Sequence, residues 1–193
     1  MLVLLALLTL GCASRQVQTL AELPLPATPA GNCCWQAVQQ LEIHYGEQDY
    51  RLTGALAQTK TGATLVLLDP LGRRLLSVQQ QGGQLQRWRA PELPEGLSEH
   101  FLLASSMLVW WPLADWQAAL PASSPWQIRR AGDQRILNHN GDPIISASYG
   151  ADTRALEQGM HGKIIEKTEP VVLRHLHQPL SINIATERLE LLP

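Results

Sequence analysis

The sequence predicts a mainly β chain with a helical insertion: a curved antiparallel sheet of about 11 strands, forming an open, incomplete β-barrel under a short helical lid. Three observations carry this expectation. Short apolar and alternating runs, punctuated by turn residues, fill both halves of the 193-residue chain. One segment between them, Phe101–Trp111, is apolar nearly all round at a length that suits a helix buried on more than one side. An antiparallel sheet with that many strands must curl, and a greasy insertion packs most economically across its concave face.

The first group of strands is expected at Val38–Tyr45, Tyr50–Ala57, Thr64–Leu68, Arg74–Gln80 and Gln84–Trp88. Their joints are Gly46-Glu47, Lys60-Thr61-Gly62, Asp69-Pro70-Leu71-Gly72 and Gly82-Gly83, short enough to make an antiparallel meander. Pro70 presets one turn dihedral and Gly72 permits a positive one, so this joint reads as a tight reversal. Leu71 is the odd residue there, a large aliphatic side chain at a hairpin tip. Leu65–Leu68 and Leu75–Val78 place apolar residues on both strand faces, which implies apolar surroundings on both sides.

Ser98 suits a helix N-cap, and Glu99 favours the positive helix end. Pro112 disfavours helical geometry at Trp111, so a second helix is expected over Leu113–Leu120, with Leu113, Trp116 and Leu120 on one stripe before Pro121. Strands resume at Trp126–Arg130, Gln134–His139, Ile144–Tyr149, Val171–His177, Leu180–Ala185 and Arg188–Leu192. Asn140-Gly141 is the clearest hairpin signal, and Gly150–Gly162 reads as a long polar loop.

Composition excludes some functions. The formal charge is −2, the pI is near 6.3, and no basic run exceeds two residues, so no nucleic-acid partner is expected. Six Trp stand against one Phe, and Trp110, Trp111 and Trp116 cluster, which suits the wet edge of an apolar site.

At the N-terminus, Leu2–Leu10 is apolar but about nine residues long, far short of the roughly twenty that span a bilayer, and reads as the core of an export signal. The alternative is a buried strand with Cys12 as a core thiol. The following Leu8-Thr9-Leu10-Gly11-Cys12-Ala13-Ser14 resembles the lipobox of bacterial lipoproteins, although Thr9 stands where an aliphatic residue is usual and no Lys or Arg precedes the apolar run. That resemblance implies a signal peptide over residues 1–11 and lipidation of Cys12, where two or more acyl chains, palmitate among them, anchor a protein stably. Ala13 after the cysteine implies sorting to the outer membrane of a Gram-negative bacterium, on its periplasmic face. Residues 12–31, with Pro24, Pro26 and Pro29, read as a semi-extended tether, and residues 32–193 as one domain. Cys33 and Cys34 are adjacent, too close for a relaxed bond, and are expected as small buried hydrophobes, with a strained vicinal bridge as the alternative.

Taken together, Cys12, Leu68-Asp69-Pro70-Leu71-Gly72, Trp111-Pro112-Leu113 through Trp116 to Leu120-Pro121, and the closing strands Val171–Leu176 and Leu180–Ile184 resemble the LolA/LolB-like outer-membrane lipoproteins. Trp110-Trp111 and Arg73-Arg74 bring the chain nearest to lipoproteins encoded with aryl-polyene or other fatty-acid-type biosynthesis genes. The resemblance implies an acyl chain or lipidated cargo held in an apolar cavity, a periplasmic carrier protein as partner, and Leu71 as a membrane-insertion loop. The cavity and lid residues would be Phe101, Leu108, Trp111, Leu113, Trp116 and Leu120.

No catalytic chemistry is expected. The chain lacks a Gly-x-Ser-x-Gly elbow and a Gly-rich phosphate loop, so neither an enzyme nor a cofactor is anticipated. His175 and His177 lie two apart on an expected strand, with His161 or His139 as further candidate ligands, but surface histidines are the simpler reading and no metal is expected. The competing interpretation of the whole is a docking lipoprotein of an envelope biosynthesis machinery, in which the lid residues fill a dry core.

Overall fold

The computed structural model describes residues 20, 22–27, 34–150 and 165–192. The expected signal peptide, Cys12, Cys33, His161, most of the tether and nearly all of the 150–162 loop lie outside these residues. Eleven strands among the described residues form one antiparallel sheet: β1 (Trp35–Tyr45), β2 (Gln48–Thr59), β3 (Gly62–Leu68), β4 (Arg74–Gln81), β5 (Gln84–Arg89), β6 (Trp126–Ala131), β7 (Gln134–His139), β8 (Asp142–Ser148), β9 (Ile165–Glu166), β10 (Val171–His175) and β11 (Leu180–Leu191). Two helices, α1 (Glu99–Trp110) and α2 (Leu113–Ala119), stand between β5 and β6.

The strand order is β5-β4-β3-β2-β1-β11-β10-β8-β7-β6, with β9 pairing on β11. Two meanders are thus fused through the first and last strands, which pair from Trp35 with Leu191 to Tyr45 with Leu180. The free edges are β5 and β6, so the sheet curves without closing. Those edges are consecutive in the chain. Their connection must cross the sheet from one margin to the other, and α1 and α2 are that crossing.

Side-chain alternation selects the inner face. In β1, Trp35, Ala37, Leu41 and Ile43 point inward with Gln39 among them, while the residues between are exposed or nearly so. The same inward set continues through Leu52 and Leu56 of β2, Leu65 and Leu67 of β3, and Leu76 and Val78 of β4. The interior helix α1 has eleven of its twelve residues buried. Ser98 caps it, its hydroxyl accepting from Phe101 N at 3.2 Å, and Pro112 ends it with Trp111 in extended geometry.

Several expectations are corrected. The two closing segments are one strand, β11, whose inward phase shifts between Thr186 and Leu189 at a bulge opposite Val38/Gln39. The bulge makes one strand look like two in sequence. β10 stops at His175, so His177 lies beyond it, and the short β9 was not anticipated. Cys34 is disulfide-bonded rather than a reduced buried thiol. Leu20 and Leu23 of the expected leash are buried in the core, and Pro26 O accepts from Gln80 Nε2 at 3.1 Å. Three leucines at positions 20, 23 and 25 give that stretch an apolar side the proline count obscured.

Close approach of β3 to β4 requires glycine at position 62, where a Cβ would lie 1.7 Å from the backbone oxygen of Gln80. Gly62→Ala is expected to lower unfolding free energy by about 2 kcal/mol or more, because backbone rather than a flexible side chain must move. Urea denaturation reads this as a lower midpoint at unchanged slope.

Candidate functional site

Two places on the molecule have the makings of a site: the interior beneath α1, and the β3–β4 apex at the rim.

The interior brings together all the lid residues expected from sequence. Phe101, Leu108, Trp111, Trp116 and Leu120 belong to one buried cluster, and Leu113 packs against it partly buried. Trp35 receives Trp110 and Trp111 at ring-centroid distances of 6.1 and 5.6 Å. Among the described residues the space directly under α1 is small. The cavity under α1, lined by Phe101, Ala104, Leu108, Leu137 and Ile145 together with Leu20 and Leu23, measures about 10 Å³. That is room for roughly one water molecule, far below the space of an acyl chain. Side chains, including two from the N-terminal segment, fill it.

Sequence reasoning missed the polar groups that hold the cap. Arg135, 2% exposed, donates from Nη1 to Leu108 O at 2.7 Å and Trp111 O at 2.6 Å. Tyr149 OH donates to Leu108 O at 2.9 Å and Val109 O at 3.2 Å, and Trp116 Nε1 to Met107 O at 3.2 Å. Arg135 and Tyr149 take carbonyls at the end of the helix, where intrahelical donors run out, while Met107 O also accepts from Trp111 N at 2.8 Å. A signal for Arg135 was present: it shares the inward phase of β7 with Leu137.

At the rim, Asp69 builds the apex. Its Oδ1 accepts from Leu71 N and Arg73 N, each at 2.9 Å, and its Oδ2 pairs with Arg73 Nε at 2.7 Å. Gly72 N closes the turn on Asp69 O at 2.9 Å, Asp69 N donates to Arg73 O at 2.9 Å, and Gly72 has φ 78°. This is a type I turn followed by a left-handed glycine. Desolvation raises the Asp69 pKa, but the hydrogen bonds from Arg73 and Leu71 and the Arg73 charge outweigh it and hold the carboxyl below the ordinary value. Leu71 stands at the tip, 81% exposed. Beside it, the Arg74 guanidinium lies 4.0 Å from the centre of the exposed Trp88 ring, in a cleft of about 270 Å³ walled by Arg73, Leu75, Pro91 and Glu92.

On the opposite sheet face, Val38, Ala55, Ala57 and Val66 line a shallow depression edged by Arg188 and Glu190. The apolar outer positions of β3 read from sequence are accounted for there.

The chain belongs to the family described as Protein of unknown function, DUF3261. The match covers residues 36–188. No curated protein matches the sequence. Among solved structures, a LolA superfamily protein from Nitrosomonas europaea aligns over 92% of this chain and 94% of that one, with a TM-score of 0.39 and 9% identity.

In this DUF3261 member the described histidines have other partners. Among the described residues no group of three His, Cys, Asp or Glu side chains could hold a metal ion. His175 is buried, and its Nδ1 accepts from His177 N at 3.2 Å; His177 Nε2 faces Pro143 O at 2.9 Å, and His139 packs on Trp126 with ring centroids 4.5 Å apart. Burial, then the nearby His177, lowers the His175 pKa to about 4. His100, under the N-terminal segment, is lowered by burial and by Arg87, with the backbone of Leu23 and Leu20 partly opposing. A histidine whose folded pKa lies below its unfolded value near 6.5 contributes its full stability above that value. Stability is therefore expected to fall as pH drops from about 6.5 toward 4. Thermal unfolding across that window should show a smaller fall for His175→Leu than for the natural chain; identical profiles would remove His175 as a source.

Proposed function

We propose that this protein is a non-enzymatic lipoprotein, anchored through Cys12 on the periplasmic face of the outer membrane, that receives an acyl chain or lipidated cargo and passes it to the bilayer. The Leu71 apex is the observation that carries this reading. Folding leaves a leucine in water at a position that five hydrogen bonds around Asp69 hold in one conformation. An exposed leucine alone means little. A rigid one, on a hairpin that also carries an arginine stacked on an exposed tryptophan, has the composition of a membrane–water interface: an aliphatic tip for the hydrocarbon, an amphipathic ring for its boundary and cations for the phosphates.

The cargo side rests on the buried face of the cap. α1 offers apolar surface in every direction and lies across the mouth between the two sheet edges, so lifting it would bare a hydrocarbon-compatible wall. A periplasmic carrier protein would deliver the cargo, and a gene setting of aryl-polyene or fatty-acid-type synthesis would supply it. The filled interior favours a second reading, a docking lipoprotein of an envelope machinery whose core stays dry. Native mass spectrometry of protein extracted from the envelope separates them: bound acyl mass supports cargo handling, and bare protein that crosslinks to an envelope partner supports docking.

Leu71→Glu is expected to leave stability within about 0.5 kcal/mol of the natural chain, since the side chain touches little. The same change should weaken association with phospholipid vesicles, and transfer to them, about tenfold or more, because a buried leucine is worth roughly 1.5–3 kcal/mol. Vesicle flotation and a labelled-lipid transfer assay read both quantities; unchanged transfer would take the special role away from Leu71.

A further inference from the structure

We propose that the acyl site is the groove between α1 and strands β7 and β8, that it is occupied here by the chain's own Leu20 and Leu23, and that incoming acyl cargo displaces them. This deepens the cargo-handling reading and rests on it.

Leu20 and Leu23 are 6% and 3% exposed, and they share the lining of the space under α1 with residues distant in the chain. Their partners are Phe101, Ala104 and Leu108 on α1 and Leu137 and Ile145 on β7 and β8, all aliphatic or aromatic carbon apart from the Ser105 hydroxyl nearby. Such a wall recognises hydrocarbon without distinguishing a leucine side chain from an acyl chain, because dispersion and exclusion of water are not directional.

None of the described residues of this N-terminal segment is in a β-strand, Pro24 and Pro26 have no N–H to give, and among the described residues its polar ties include Leu23 N to Leu20 O at 3.3 Å, Gln80 Nε2 to Pro26 O at 3.1 Å, and the His100 ring beside the backbone of Leu23 and Leu20. It precedes the residues that the family match covers, 36–188. The segment is covalently tethered beside the groove it fills. Tethering gives it a high effective concentration, and a ligand that needs the groove empty binds with an affinity reduced by the fraction of chains in which the groove is free.

The test uses the full chain, with palmitate as the probe. Leu20→Asp combined with Leu23→Asp should raise palmitate affinity about tenfold or more. In the natural chain, hydrogen exchange at Leu20 and Leu23 should accelerate when palmitate binds, a measurement that stands even if the double variant does not fold. Palmitate bound with equal affinity by both proteins, or bound while Leu20 and Leu23 stay protected, overturns the displacement and leaves cargo handling intact. A folded natural chain and a folded variant that both take up no palmitate overturn the cargo reading itself, and the displacement with it.

Discussion

The rest of the structure depends on the placement of its two free edges. β5 and β6 close opposite margins of the sheet yet follow one another in the chain, so their link has to travel across the concave side. A link there is covered on every side. It must therefore be apolar all round, and as a helix it must find partners for the carbonyls of its last turn in a place without water. α1 meets the first demand with eleven buried residues and the second with Arg135 and Tyr149, which reach it from the β7–β8 meander. Arg89 of β5, 3.9 Å from Glu99, ties the helix to the other margin. A single topological fact thus dictates the composition of the cap, the presence of an arginine in the interior and the side from which it comes.

Much of this was legible in the residues. The meander followed from turn chemistry, the start and end of α1 from Ser98 and Pro112, and the singular exposure of Leu71 from its position at a Pro-containing reversal. What was not legible has physical reasons. Arg135 reads as a solvated strand residue until the curvature of the sheet places its position inward over a helix end. The bulge opposite Val38 and Gln39 shifts the phase of β11, and a change of phase is indistinguishable from a break when alternation is the only signal. Leu20 and Leu23 looked like part of a leash because their burial depends on a groove made by residues more than 75 positions away. Asp69 was visible as a turn former, whereas its fivefold role at the apex emerges only when Arg73 folds back onto it.

The interior and the apex contrast in mechanical character. The interior is held by non-directional packing around a few strong polar points, while the apex is held almost wholly by directional hydrogen bonds centred on one carboxylate. Packing of the first kind tolerates exchange of one hydrocarbon for another if volume is kept. Bonding of the second kind fixes a shape in water whatever surrounds it. A protein that must change its contents while presenting an unchanging contact to a surface needs that division, with the adaptable part inside and the rigid part at the rim.

A filled core and an acyl-handling core are therefore not opposites. An empty apolar hollow of acyl size would leave its lining without contacts, a deficit that grows with cavity volume and that a marginally stable domain withstands poorly. On the proposed cargo-handling reading, something has to occupy the space between cargoes. Collapse of the cap onto the sheet is one solution, but Arg135 and Tyr149 fix the height of the C-terminal end of α1 above β7 and β8. A short segment of the same chain, small enough to leave about 10 Å³ unfilled and weakly enough tied to depart, meets the requirement without moving the cap. On the proposed reading, the affinity of the groove for an acyl chain would be set less by the wall than by how readily Leu20 and Leu23 yield it.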